Sequence, residues 1–312
     1  MNQIIRLAVL GALLATVAAT GAATAEAKVT VGIGDNKPSM FGDQRFRDLD
    51  VPWVRNIVPW DALRNRDQRS LLDAWMGGAR AVDANVLIAF EQSRRGRRNP
   101  TPQQLKTQLR ALLKRYPGQI RAVTTWNEPN INAKSKPARR VAQWYRSLRQ
   151  VTRPKAIKLI AADVVDRDNM ASWTTLYLQE LRRQGVPRPK HWGLHNYVDV
   201  NNLSYARTRR FTKLVKGQVW LTETGGVAAR NNGSTVRFKG RGAAFQARAT
   251  KYLLSTMLRH NRSISHVFIY NWNAQHPMNV ATWDSALIAM NGRARPAFDV
   301  VKRYIDRSRP AP

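Results

Sequence analysis

From residue 29 onward, short apolar runs alternate with longer stretches whose hydrophobic positions recur at helical spacing. Runs of this length, rich in Val, Ile and aromatic residues, read as strands covered on both faces, and the longer stretches as the helices that cover them. Eight strands are predicted, at 29–34, 53–58, 86–90, 121–126, 158–163, 192–197, 218–222 and 265–271. Amphipathic helices are predicted at 66–82, 102–116, 138–152, 170–184 and 243–259, with a last one at 295–306. Thr101 before Pro102, with Gln104 three positions on, has the form of a capped helix start, and Pro296 suits the first turn of the last helix. A βα unit repeated in this way either closes into a barrel or winds an open sheet.

The polar residues that interrupt the pattern separate these two architectures. An open nucleotide-binding sheet needs a glycine-rich turn after its first strand, and Gly32-Ile-Gly34-Asp-Asn-Lys-Pro38 has neither the third glycine nor a following helical pattern. Instead Asp35, Arg55, Glu91, Asn127, Glu128, Asp163, His195, Tyr197, Glu223 and Asn273 lie at or just past the C-terminal ends of strands. That is the face on which (β/α)8 barrels build their sites. With no Pro-, Gly- or Ser-rich linker, the expectation is an α/β protein, a single-domain (β/α)8 TIM barrel over residues 28–312.

Residues 1–27 read differently. Arg6, the apolar run from Leu7 to Ala19 and Ala25-Glu26-Ala27 have the basic, apolar and small-residue regions of a signal peptide, so the chain is expected to be secreted or extracytoplasmic, in periplasm, wall or medium. The run is short and diluted for a stable span, and no comparable one follows, so no transmembrane segment is expected after cleavage. The sequence holds no cysteine, which removes disulfides, thiolate metal sites and a cysteine nucleophile. Its formal charge of +32 predicts salt-sensitive electrostatic binding to anionic polymers. No zinc-finger spacing or RNA-binding aromatic motif accompanies that charge, so no specific nucleic-acid partner is expected.

Two carboxylates carry the chemistry. The fourth strand breaks from Trp126 into Asn127-Glu128-Pro129-Asn130, and the seventh breaks from Thr222 into Glu223-Thr224-Gly225. Strands four and seven face each other across the mouth of a closed eight-stranded barrel, so both side chains can converge on one space. Glycoside hydrolysis needs such a pair, one acid to protonate the leaving oxygen and one carboxylate on the opposite face of the sugar. In an otherwise very basic chain, two glutamates in matching contexts are poor candidates for coincidence.

The Trp126-Asn127-Glu128-Pro129-Asn130 segment, with Thr222-Glu223-Thr224-Gly225 after the seventh strand, resembles glycoside hydrolase clan A over essentially the whole chain after the signal peptide, and within it family 39, with its β-xylosidases and exopolysaccharide hydrolases. The resemblance implies a retaining, metal-independent glycosidase acting on O-glycosyl bonds of a polysaccharide or oligosaccharide by double displacement, with no cofactor. It makes Glu128 the acid/base, Glu223 the nucleophile and Asn127 a partner of the substrate 2-hydroxyl. Arg55, His195 and Tyr197 resemble residues that hold the nucleophile ionised and oriented, and Trp272 resembles the aromatic floor under the reacting sugar. Trp283 is a second aromatic expected to stack on sugar.

Other readings of the same residues are blander. Glu91 and Asp163 each read as a solvated residue or helix cap, and most of the tryptophans as core. His191, His195, His260, His266 and His276 show neither H-x-H nor H-E-x-x-H spacing, so no metal is expected, and no G-x-S-x-G elbow marks a serine nucleophile. Three basic loops, Arg94 to Arg98, Lys134 to Arg140 and Arg230 to Arg241, are expected to ring the mouth and raise the prospect of an acidic glycan. Residues 274–295 are long for a βα connection and read as a lid or hairpin carrying Trp283 and Asp284. The rival class is a noncatalytic basic barrel that binds cell-wall or other polyanionic polymers.

Overall fold

A computed structural model describes residues 29–96, 98–131, 134, 136–231 and 237–309. The signal-peptide expectation falls on residues outside this set. Eight parallel strands close into a barrel: β1 (Thr30–Gly34), β2 (Trp53–Pro59), β3 (Asn85–Glu91), β4 (Ile120–Thr124), β5 (Lys158–Val165), β6 (His191–His195), β7 (Gln218–Thr224) and β9 (Ile264–Tyr270), with β9 pairing back onto β1. Each coincides with a predicted strand to within a few residues. Two further short strands, β8 (Ala229–Arg230) and β10 (Trp283–Asp284), pair antiparallel apart from the barrel.

The predicted helices appear as α2 (Arg66–Ala81), α3 (Pro102–Arg115), α4 (Ala138–Thr152), α5 (Met170–Arg183), α8 (Gly242–Tyr252) and α9 (Pro296–Ser308). Thr101 and Gln104 form the reciprocal capping box, with Gln104 N donating to Thr101 Oγ1 at 3.1 Å and Thr101 N to Gln104 Oε1 at 2.8 Å. Three helices had no counterpart in the predicted set: α1 (Gln44–Leu49), α6 (Tyr197–Asn201) and α7 (Ala206–Val215). The first two span six and five residues, too few for hydrophobic periodicity to register. Tyr197 accordingly opens a helix rather than closing the sixth strand.

The barrel interior is layered. At the lower level Trp53, Leu87, Ala122, Ile160, Trp220 and Phe268 form an apolar plug, closed beneath by His266 stacked on Trp220 at 3.6 Å. One step up, the inward positions turn polar: Arg55, Thr124, Asp163 and Thr222 are all buried there. On β2, β4 and β7 this is the ordinary alternation of a strand, from Trp53 to Arg55, Ala122 to Thr124 and Trp220 to Thr222. On β5 it is not, because the register shifts between Ile160 and Asp163, and shifts on β6 between Gly193 and His195 and on β7 between Leu221 and Thr224 likewise bring His195 and Glu223 to the mouth. Gly193 completes the layer: a Cβ there would land on Asp163 Oδ1 and lie 2.9 Å from Thr222 Oγ1. Among the described residues, no helix is long and apolar enough to cross a membrane.

The segment 274–295 folds down onto the barrel as well as forming a ribbon. Asp284 pairs with buried Arg295 at 2.5 Å, and Gln246 donates to the carbonyls of Ser285 and Ala286 at 2.9 Å each. Asp284 is therefore a structural anchor, while Trp283 is presented towards the mouth.

Candidate active site

A pocket of about 360 Å³ opens at the C-terminal end of the barrel and is lined by Asn127, Glu128, Tyr197, Glu223, Tyr270 and Trp283 among others. Glu128 sits immediately past β4, where the backbone turns through a left-handed φ of 47°. That conformation is unfavourable for a residue with a side chain and persists where surrounding bonds hold it. Here the Glu128 N–H donates to the Asp163 carbonyl at 2.9 Å, and the Glu128 carbonyl accepts from Ile131 N at 3.3 Å. Glu223 lies near the end of β7, with its side chain 10% exposed against 28% for Glu128.

Arg55 organises the floor. Its Nη1 donates to Glu223 Oε2 at 2.9 Å, and its Nη2 donates to Asp163 Oδ2 at 2.9 Å and Asn127 Oδ1 at 2.8 Å. Burial works against the guanidinium charge, but Asp163 and Glu223 outweigh it and raise its pKa above the ordinary value, so Arg55 is a fixed cation. Burial alone would push the Asp163 carboxyl up; the Arg55 charge, then hydrogen bonds from His195 and Thr222, leave it below its ordinary value. The reading of Asp163 as a solvated residue or cap is thus corrected. It is fully buried and also accepts from Thr222 Oγ1 at 2.7 Å and Thr124 Oγ1 at 3.2 Å.

Tyr197 donates its hydroxyl to Glu223 Oε1 at 3.1 Å, and burial followed by the Glu223 charge keeps the phenol protonated by raising its pKa. His195 Nδ1 lies 2.8 Å from Glu128 Oε1, while Nε2 lies 3.3 Å from Arg55 Nη2 and 3.7 Å from Asp163 Oδ2. Burial pulls the imidazole pKa down, yet the Glu223 charge and the bonds to Asp163 and Glu128 lift it to about 9. The carboxylates around the ring outnumber the Arg55 cation, so the imidazolium form prevails at neutral pH despite that close approach. Glu128, His195 and Glu223 each offer one ligand atom, all within 4.8 Å of one another, a spacing that could hold a cation. The donors of Arg55, Tyr197 and His195 already engage these same carboxylates.

The family described as Glycosyl hydrolase catalytic core matches residues 100–300. The chain belongs to it. Xylanase B from Clostridium stercorarium F9 aligns over 88% of this chain and 96% of its own, at 16% identity and a TM-score of 0.63. An endo-1,4-beta-xylanase, XylE, from Penicillium canescens aligns over 90% and 95%, at 11% identity and a TM-score of 0.65. A family 39 glycoside hydrolase from the gut symbiont Bacteroides cellulosilyticus WH2 aligns over 89% of this chain and 64% of its own, at 14% identity and a TM-score of 0.63. Identities this low carry the fold alone, a (β/α)8 barrel. No curated protein matches the chain.

For this glycosyl hydrolase the structure brings Glu128, Glu223, Asn127, Tyr197 and Trp283 to the lining of one pocket, holds Arg55 and His195 buried against its two carboxylates, and leaves Trp272 out. Strand β9 ends at Tyr270, and the backbone N–H groups of Trp272 and Asn273 each bond Asp35 Oδ2 at 3.0 Å. That turn carries the Trp272 ring behind the strand, where it is fully buried edge-on to Phe46 and Phe298. Tyr270, which sequence reasoning did not single out, lines the pocket instead; it stands two residues beyond the inward-facing Phe268, and that spacing was the available signal. Of the three basic loops, only Arg230 lines the pocket among the described residues, joined by Arg167, which had not been marked. Arg94 turns instead to Glu91 at 2.5 Å, and Glu91 is neither a pocket residue nor well solvated, burial raising its pKa.

Proposed function

We propose that the chain is an exported, retaining O-glycosidase that cleaves a polysaccharide or oligosaccharide by double displacement, with Glu128 as acid/base and Glu223 as nucleophile. The observation that carries this reading is the spacing of the pair, whose nearest offered atoms lie within 4.8 Å. Retaining enzymes hold their carboxyl groups about 5–5.5 Å apart, whereas inverting enzymes need roughly 6.5–9.5 Å to admit a water.

In the first step a Glu223 oxygen bonds to the anomeric carbon as the glycosidic C–O bond breaks, and Glu128 gives its proton to the departing oxygen. Arg55 Nη1 and the Tyr197 hydroxyl hold one Glu223 oxygen each, which aims the carboxylate and stabilises its charge before attack. In its proton-carrying form Glu128 donates to Nδ1 of a neutral His195, whose Nε2–H then faces Asp163. In the second step Glu128 takes a proton from water as the hydroxyl attacks the anomeric carbon and Glu223 leaves. Asn127, its Oδ1 occupied by Arg55, has its NH2 to offer a sugar hydroxyl. Trp283 and Tyr270 supply aromatic surface for sugar faces.

Residues 1–27 direct export and residues 28–312 form the catalytic domain, and the +32 charge adds a salt-sensitive attraction to anionic polymers. Proton NMR of the first-formed product anomer tests the mechanism. Retention of configuration is expected, and inverted product would overturn it.

A further inference from the structure

Helix α6 is five residues long and begins at Tyr197, whose hydroxyl holds Glu223. A helix this short is not stable alone, and its first N–H groups have no acceptor within it. The preceding residue, Asn196, makes no side-chain cap; its amide bonds Thr208, Met257 and Thr224 instead. Asp166, just past β5, takes over the capping from the neighbouring strand. Its Oδ1 accepts from Val198 N at 3.1 Å and its Oδ2 from Asp199 N at 2.8 Å, while its own N–H donates to the His195 carbonyl at 3.0 Å. The side chain is fully buried, and Arg207 donates to the Asp166 carbonyl at 3.1 Å rather than to the carboxylate.

Burying a carboxylate to hold backbone N–H groups is costly, and this one sits where its bonds bear on the two residues that flank Asn196. His195 meets Glu128 and Tyr197 meets Glu223. Two further contacts fix the rest of α6: the Tyr197 ring packs edge-on against Trp283 at 4.8 Å, and Asn201 Nδ2 donates to the Tyr197 carbonyl at 2.9 Å. The N–H groups that start the helix go to Asp166. Asp166 itself does not line the pocket. We propose that Asp166 is a positioning residue which, from the end of β5, sets the Tyr197 hydroxyl against Glu223. This rests on the glycosidase reading, in which Glu223 is the nucleophile. Asp166→Asn keeps the shape of the side chain but leaves one acceptor oxygen for two N–H groups and turns an NH2 against the other. The start of α6 then shifts, and the hydroxyl leaves Glu223 Oε1.

The test places 3-fluorotyrosine at position 197 of the full chain and follows its fluorine NMR resonance against pH, which reads the phenol without requiring turnover. Burial, then the Glu223 charge, with Tyr270 and Glu128 also facing the ring, holds the Tyr197 phenol above its ordinary pKa. Releasing the hydroxyl from Glu223 lowers the midpoint of ionisation. Asp166→Asn should lower it by about one pH unit, a tenfold shift on the scale of a weakened charge-assisted hydrogen bond, and Asp166→Ala by more. Where Asp166→Ala fails to fold, the isosteric Asn variant carries the test. Asp168→Asn, at an exposed side chain next to it, should change nothing. In a Glu223→Gln background the Asp166→Asn shift should largely vanish, because the contact it acts through is gone. An unshifted midpoint in Asp166→Asn overturns the proposal, as does an equal shift with and without Glu223, which would mark a loosened fold or the lost Asp166 charge. Turnover is measured separately on the 2,4-dinitrophenyl β-glycosides of glucose, xylose, mannose and galactose. Asp166→Asn should cut kcat/KM by on the order of tenfold, mainly through kcat, and add little to Tyr197→Phe. A wild-type chain inert towards all of them would count against the glycosidase reading, while the fluorine resonance still decides the role of Asp166.

Discussion

Gly193→Ala adds one methyl to a residue that touches no substrate, and it should damage both stability and activity. The new Cβ would land on Asp163 Oδ1 and meet Thr222 Oγ1 and the Ala162 carbonyl at 2.9 Å. Asp163 cannot yield cheaply, because Arg55, Thr222 and Thr124 all bond it in a fully buried position. Forcing a methyl into such a site costs about 1–3 kcal/mol, and a broken buried ion pair costs roughly 3–5 kcal/mol, so a partial loss of the Arg55 contact places the total near 2–4 kcal/mol. At about 2 °C per kcal/mol for a chain of this size, the melting temperature should fall by roughly 4–8 °C. Arg55 also grips Glu223, so kcat/KM should drop by at least about tenfold on any substrate the wild type cleaves. Thermal unfolding by circular dichroism and steady-state kinetics measure both. Adding Asp163→Ala makes room for the methyl, so the double variant should be less destabilised than the sum of the singles. A melting temperature within about 1 °C of wild type, or strict additivity, would refute the reasoning.

Further outcomes follow from the same contacts. Trp283→Ala should raise KM with little change in melting temperature, whereas Trp272→Phe should leave KM alone and cost about 1–2 kcal/mol through lost packing and the 3.2 Å bond from its indole N–H to Asp43. His195, with its pKa lifted to about 9, contributes stability that is complete below its unfolded value near 6.5 and is lost as pH rises through 9. Melting temperature should therefore decline across that alkaline window, and less so in His195→Gln. His266 runs the other way: burial first, then the Lys158 charge, depress it to about 3, so its contribution is lost as pH falls from about 6.5 towards 3, and His266→Gln should flatten that limb. Asp166, raised to about 7 by burial and then the Asp199 charge, makes stability fall as pH rises from about 4 to 7, a slope that Asp166→Asn should remove.

The barrel was legible because each strand is a compact apolar run between helical periods, and the carboxylate pair because Glu128 and Glu223 each follow directly on a strand. What sequence reasoning missed lies where strand periodicity breaks. Asp163 reads as a strand-end residue, but the register shift on β5 turns it into the barrel and Gly193 opens the space it occupies. Trp272 is in phase with Phe268 and Tyr270, yet the chain has left the strand before reaching it, because Asp35 captures two backbone N–H groups. Arg167 was invisible for another reason. In a sequence with 52 Lys and Arg residues, nothing local separates one arginine in a pocket from the rest on the surface.

The double-displacement mechanism is tested most directly by trapping its intermediate. The wild-type chain, Glu223→Gln and Glu128→Gln would each be incubated with a panel of activated 2-deoxy-2-fluoro glycosides and analysed by intact mass and peptide mapping. One glycosyl adduct on Glu223 in the wild type, absent from Glu223→Gln and slow to hydrolyse in Glu128→Gln, is the predicted result. An adduct mapped to any other residue, or a wild-type enzyme that turns over glycan and gives inverted product without ever being labelled, would contradict the account.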